Sequence, residues 1–151
     1  MDEDTADAAA LAPLVGAWAV TAEFPGMEAV VAGRAAFSWL LGRRFVLQTT
    51  ENDHPDAPDS WAVLVPAPDR PGGYVQHYFD TRGVVRLYEA FFDGRSWTLL
   101  RREPDFSPLD FAQRFTATVS DDGDTIDGAW ELARDGENWE HDFRLTYRRT
   151  G

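Results

Sequence analysis

The sequence predicts an all-β chain: about ten antiparallel strands that close into an up-and-down barrel behind a short N-terminal helix. Three observations predict it. Apolar and polar residues alternate with period two again and again along the chain, the signature of half-buried strands. Turn-forming pairs such as Asp93-Gly94 and Asp135-Gly136 punctuate these runs at near-regular spacing, where glycine supplies the positive φ of tight hairpins. Aromatic residues make up 13% of the 151 residues, with six Trp and ten Phe, and such side chains suit a pleated surface.

Taken in order, Ala6 to Ala12 is an Ala-rich stretch that predicts a short helix stopped by Pro13. Strands follow at Gly16–Phe24 and Glu28–Leu40, broken by Phe24-Pro25-Gly26 and Leu41-Gly42. Arg44–Glu51, Asp59–Val65 and Gly73–Asp80 come next, separated by the Pro- and Asp-rich connections Asn52–Pro58 and Pro66–Gly72. The hairpins Asp80-Thr81-Arg82-Gly83 and Asp93-Gly94 flank Val84–Asp93, and Ser96–Glu103 follows. Pro104–Asp110 carries Phe106, Pro108 and Leu109, more apolar weight than a plain surface loop, and reads as a lid or rim. Phe111–Ser120, Thr125–Leu132 and Asn138–Arg149 complete the set. The short connections favour a barrel over a Greek-key sandwich, which needs long crossings.

Composition narrows the function. Hydrophobic residues at 44% and charged ones at 26% describe one globular domain spanning 1–151. A net charge of −12 repels phosphate backbones and anionic lipid, so neither nucleic acid nor membrane is expected as a partner. All 14 basic residues are Arg, which leaves no lysine for Schiff-base chemistry, and Cys is absent, which removes thiol nucleophiles and thiolate metal sites. No cofactor is expected. Met1-Asp2-Glu3-Asp4 is the reverse of a basic signal-peptide start, and no apolar run approaches the roughly 20 residues of a membrane span; a cytoplasmic address follows by default.

Alternation sorts residues onto two faces. Trp139, His141, Phe143, Leu145 and Tyr147 share one face of the last strand, which predicts His141 inside the barrel. Arg101 shares a face with Trp97 and Leu99, Gln113 with Phe111, Phe115 and Val119, and Ile126, Trp130 and Leu132 go together. In Gly73–Asp80 the more apolar face is Val75, His77 and Phe79, which turns His77 inward; Val84–Asp93 has no clean face. The expected ligand-binding set is therefore His77, Trp97, Arg101, Gln113, Phe115, Trp130, His141 and Phe143, an apolar lining with a few polar groups. A buried Arg101 requires a carboxylate partner or a ligand anion. Asp121-Asp122-Gly123-Asp124 lacks EF-hand spacing and is a turn. No Gly-x-Ser-x-Gly motif or phosphate loop occurs.

Leu14-Val15-Gly16-Ala17-Trp18 resembles the Gly-x-Trp start of calycin barrels, the group of lipocalins, fatty-acid-binding proteins and nitrobindins. The resemblance implies that Trp18 closes one end of the barrel against an Arg of the last strand, Arg148 or Arg149. Together with Trp39-Leu40-Leu41-Gly42-Arg43-Arg44-Phe45, Gln76-His77-Tyr78-Phe79-Asp80-Thr81-Arg82-Gly83 and Trp139-Glu140-His141-Asp142-Phe143, it is similar to a family of uncharacterised lipocalin-like bacterial proteins of actinobacteria. That resemblance implies a calycin-like barrel and no particular activity. Nitrobindins continue the motif with further glycines, where this chain has Ala19, Val20, Thr21 and Ala22.

Four readings follow. The first is binding of a small hydrophobic or amphipathic molecule in the barrel. The second is an acid–base enzyme, an isomerase or cyclase, using the same cavity through His77 or His141. The third is a nitrobindin-like haem protein with His141 as axial ligand, and the fourth a barrel filled by its own side chains. An outward aromatic such as Trp61 or Trp39 would support a homodimer.

Overall fold

A computed structural model describes residues 8–70, 72–105 and 110–150. Ten strands alternate in direction: β1 (Gly16–Glu23), β2 (Val31–Leu40), β3 (Phe45–Asn52), β4 (Ser60–Pro66), β5 (Gly73–Asp80), β6 (Val85–Phe92), β7 (Ser96–Arg101), β8 (Ala112–Val119), β9 (Thr125–Ala133) and β10 (Glu140–Arg149). Each strand pairs antiparallel with its neighbours in sequence, and β1 pairs with β10. The result is a closed up-and-down barrel. Closure satisfies the backbone groups that an open sheet would leave at its edges.

The N-terminal helix is a 3-10 helix over Ala9–Leu14, with Pro13 inside it rather than ending it. Ala6 and the apolar core of the Pro104–Asp110 loop, Phe106 to Leu109, lie outside the described residues. The Ala8 amide donates to the Arg43 carbonyl at 2.7 Å, which ties the helix to the β2–β3 turn. Leu11 and Leu14 are fully buried, so the helix caps this end of the barrel.

Alternation decides what fills the interior. Trp18, Phe37, Val46, Leu64, Phe92, Val119 and Ile126 are all buried, and they pack the capped half solid. Trp97 sits at the boundary, edge-on to Phe37 at 5.9 Å and to Phe115 at 5.0 Å. Beyond it, the inward residues of β1, β3, β4 and β5 become small or polar: Ala22, Thr50, Ser60, Ala62 and Gln76. Smaller side chains on a wall of fixed circumference leave space, and the cavity begins there.

The capped end carries the feature that the calycin resemblance implies. Trp18 pairs directly with Arg149 across the β1–β10 seam, and the guanidinium lies 4.1 Å from the indole centroid. Its Nη1 donates to the Val15 carbonyl and its Nη2 to the carbonyls of Pro13 and Gly123. Gly16 has φ of +134°, and a Cβ there would lie 2.6 Å from Arg149 Nη1. The Gly of Gly-x-Trp is thus required both for its backbone angle and for the approach of this arginine.

Two face assignments differ from the sequence-based expectation. The β10–β9 register shifts between His141 and Phe143. This bulge at Asp142 inserts one extra residue, so Phe143, Leu145 and Tyr147 face inward while His141 is exposed on the outer wall. Trp139 also lies outside, with its ring 4.2 Å from the Arg114 guanidinium. In β5 the inward row is Tyr74, Gln76 and Tyr78. His77 faces out between Val63 and Leu87. The apolar residues that suggested an inner face instead form an outer stripe, in which Trp61, 60% exposed, stands opposite Phe79. Trp39 is not an outward aromatic: it packs against the core, with the Arg43 guanidinium 5.1 Å from its ring. Among the described residues, no helix is long and apolar enough to cross a membrane.

Candidate functional site

The uncapped half of the barrel encloses a cavity of about 200 Å³. Its wall is built by inward positions of nearly every strand, including Val20, Gln48, Gln76, Tyr88, Leu99, Trp130 and Leu145. It adjoins a vestibule of about 540 Å³ at the mouth. Phe24, Val31, Ala57, Pro58 and Phe143 line both spaces. Met27, His54, Arg86, Gln113 and Asp142 line the vestibule alone.

The aromatic wall is a connected set. Phe115 stands 5.1 Å from Trp130, and Trp130 5.6 Å from Tyr88, which meets Tyr78 edge-on at 6.3 Å. Phe24 stacks on Phe143 at 4.7 Å near the mouth. Phe115 fits because Gly128 lies beside it: a Cβ at Gly128 would be 2.7 Å from Phe115 Cζ. The contacts are edge-on at Trp130–Tyr88 and Tyr88–Tyr78 and tilted at Phe115–Trp130, geometries that aromatic pairs favour, so neighbouring rings hold one another in place around the cavity.

Among the described residues, none of those lining the inner cavity carries a formal charge. Its only ionisable groups among the described residues are Tyr78, Tyr88 and Tyr147. Burial drives all three hydroxyls toward the neutral form. Tyr147 is pushed up to about 12. Tyr78 is raised first by burial and then by its hydrogen bond to the Asp80 carboxylate. Tyr88 is raised by burial, with Arg86 acting in the opposite direction.

Two buried polar atoms stand apart. Trp97 Nε1 and Gln76 Oε1 have no hydrogen-bond partner among the described residues, although Trp97 is 1% and Gln76 4% exposed. Most buried polar atoms are paired, and the neighbouring ones here are: Gln48 Nε2 donates to the Tyr147 hydroxyl, and the Tyr88 hydroxyl donates to Gln113 Oε1 at 3.0 Å. Gln76 was absent from the expected set. Its flanking tyrosines, Tyr74 and Tyr78, were the available sign that its face could be the inner one.

Of the eight expected residues, five stand around these two spaces. Trp97, Phe115, Trp130 and Phe143 line the cavity, and Gln113 lines the vestibule. His77 and His141 lie on the outer wall and are not brought to it. Arg101 is buried and points inward as expected, but its guanidinium is engaged by Asp105, through Nε at 2.8 Å and Nη2 at 3.1 Å. Both side chains are 3% exposed. The carboxylate that a buried Arg101 requires therefore comes from the chain itself. Asp105 Oδ2 also accepts the Leu87 amide at 2.9 Å, which fastens the segment after β7 to β6.

No family model matches the chain, and no curated protein matches it either. Among solved structures it is similar to Rv2717c from M. tuberculosis, with 16% identity over 95% of this chain and 96% of that one and a TM-score of 0.68. At that identity the likeness establishes the barrel fold alone. A second structure, EF1p2_mFAP2b bound to DFHBI, covers 96% of this chain and 100% of its own at 11% identity, with a TM-score of 0.48.

Proposed function

We propose that the barrel binds a small hydrophobic or amphipathic molecule, with its apolar part in the inner cavity against Trp97, Phe115, Trp130 and Phe143. The observation that carries this reading is the half-hollow interior: an aromatic-lined cavity of about 200 Å³ beside a mouth of about 540 Å³. A dry engineered cavity of about 150 Å³ is enough to hold benzene, so the inner space suits a single ring or a short branched chain. The vestibule lies within the usual range for ligand pockets, roughly 300–1,000 Å³, and can take the remainder of a longer molecule. Gln113, beside Arg86 at the mouth, supplies polar contact for such a remainder.

The Trp18–Arg149 pairing and the closed topology support placing the chain with the calycin-type, lipocalin-like barrels. The enzyme and haem readings rested on His77 and His141. Both imidazoles lie outside the barrel, so neither His77 nor His141 supports proton transfer within the cavity or ligation of a haem iron from its wall.

Native mass spectrometry on gently purified protein, followed by titration with para-xylene under heteronuclear NMR, tests the binding reading. Retained small molecules, or saturable shifts in the side-chain signals of the cavity tryptophans, are the expected result. Absence of both at millimolar ligand overturns it.

A further inference from the structure

We infer that the inner cavity selects a neutral ring bearing a hydroxyl group, read by the Trp97 Nε1–H as donor and Gln76 Oε1 as acceptor. The inference rests on the binding function proposed above and specifies its ligand class.

Trp97 Nε1 and Gln76 Oε1 are the two buried polar side-chain atoms without a partner among the described residues. A buried donor or acceptor left without a partner is costly, and the chain leaves one of each, unpaired among the described residues, on two residues that line the same cavity. The donor cannot turn to serve the acceptor's role, because an indole N–H only donates and an amide oxygen only accepts. The complement is therefore a group able to accept one hydrogen bond and donate another. A hydroxyl does both through one oxygen, and it adds little volume to a ring that has to fit a cavity of about 200 Å³.

Charge is selected against on independent grounds. The wall of the inner cavity has no cation or anion among the described residues. Arg101, the nearest buried cation in the same strand as Trp97, is committed to Asp105. A carboxylate or ammonium pushed into this space would lose its hydration with nothing to replace it. The charged groups Arg86 and Asp142 stand only in the vestibule, so a charge on the ligand is tolerated at the mouth and rejected at the floor.

Rotamer freedom of Gln76 does not remove the argument. Flipping its amide would present two N–H donors in place of the oxygen, leaving donors from both residues and a ligand preference for carbonyl or ether oxygen instead of hydroxyl. The two arrangements give different selectivities, and the experiment separates them.

Four para-substituted toluenes of nearly equal shape form the test: para-cresol, para-xylene, para-methylanisole and para-toluate, titrated at neutral pH by calorimetry and by NMR of the Trp97 indole N–H. The expected result is para-cresol binding about tenfold tighter than para-xylene and para-methylanisole, a downfield shift of the Trp97 indole proton with para-cresol alone, and no measurable binding of para-toluate. Gln76→Met should collapse the cresol-to-xylene ratio to about two while para-xylene still binds. Trp97→Phe should do the same, and because that ring is central to the core, circular dichroism must show it folded; Gln76→Met carries the test if it is not. Equal binding of cresol and xylene, as expected if a water molecule satisfies both atoms, overturns the inference and leaves the binding function standing. A methylanisole preference, or a cresol preference that survives Gln76→Met, also overturns it. Failure of all four ligands overturns both.

Discussion

The Arg149 guanidinium lies 4.1 Å from the centroid of the Trp18 indole, and the two residues face each other across the strand pair that seals the barrel. Trp18 Nε1 in turn donates to the Leu14 carbonyl at 2.9 Å. One arginine thus joins the 3-10 cap, the first strand, the last strand and the β8–β9 turn through the carbonyls of Pro13, Val15 and Gly123. Arg149→Met keeps much of the apolar stem and removes the planar cation and its donors. Cation–π contact contributes about 0.5–2 kcal/mol and each hydrogen bond to a charged group about 1.5–3, not additively. A loss of roughly 2–4 kcal/mol in urea unfolding is the expected outcome, with Arg149→Lys recovering only part of it because one ammonium cannot span three carbonyls.

Asp105 and Arg101 form a buried bidentate pair that also anchors the Leu87 amide. Removing one member leaves the other charge in a dry site. Asp105→Ala should therefore destabilise by about 3–5 kcal/mol, measured by thermal or denaturant unfolding. Arg101→Ala Asp105→Ala should cost less than the sum of the two single changes. Strict additivity in that double-mutant cycle would show that the pair is not coupled.

His77→Ala and His141→Ala should leave ligand affinity within twofold, because both imidazoles stand on the outer wall. Isothermal titration with para-xylene checks this directly. A tenfold loss from either change would mean that the imidazole concerned reaches the ligand.

The β9–β10 turn makes the acid limb of stability specific. Asp135 accepts hydrogen bonds from the Asn138 and Glu137 amides and from the Asn138 side chain, and these hold its carboxyl at about 2. The unfolded value is about 3.9, so the folded pKa is depressed. The stabilisation is complete above pH 4 and is lost as pH falls toward 2. Asp80 adds to the same limb: burial opposes its ionisation, but hydrogen bonds from Arg82 and Tyr78 outweigh that and lower its pKa. Unfolding free energy measured from pH 5 to pH 2 should fall less steeply in Asp135→Ala than in the parent chain.

The architecture was legible because turns and alternation are local. Asp93-Gly94 and Asp135-Gly136 mark hairpins whatever surrounds them, and the inward rows of β7, β8 and β9 follow from period two. The site was legible only in part. A bulge at Asp142 has no turn residue to announce it, and one inserted residue reverses the face of everything before it, His141 included. In β5 the outward row is the more apolar one, because Val75 and Phe79 pair with Val65 and Trp61 on a sheet whose outside is itself greasy. Polarity therefore pointed His77 inward and Gln76 outward, the reverse of what the closed sheet requires. Arg101 was placed correctly, but its partner is four residues along the chain in a loop, where no periodicity applies.

The seam between β1 and β10 has a consequence for how the chain comes into being. The first strand is synthesised before its final neighbour, β10, with eight other strands between them in the chain. Until then β1 and β9 each expose an unsatisfied row of amides and carbonyls, open to pairing with other nascent chains. The sealing step must join two strands separated in the chain by eight others, so it is set to be the slow event of folding. Production at low temperature and dilution during refolding should raise the yield of monodisperse protein for this reason alone.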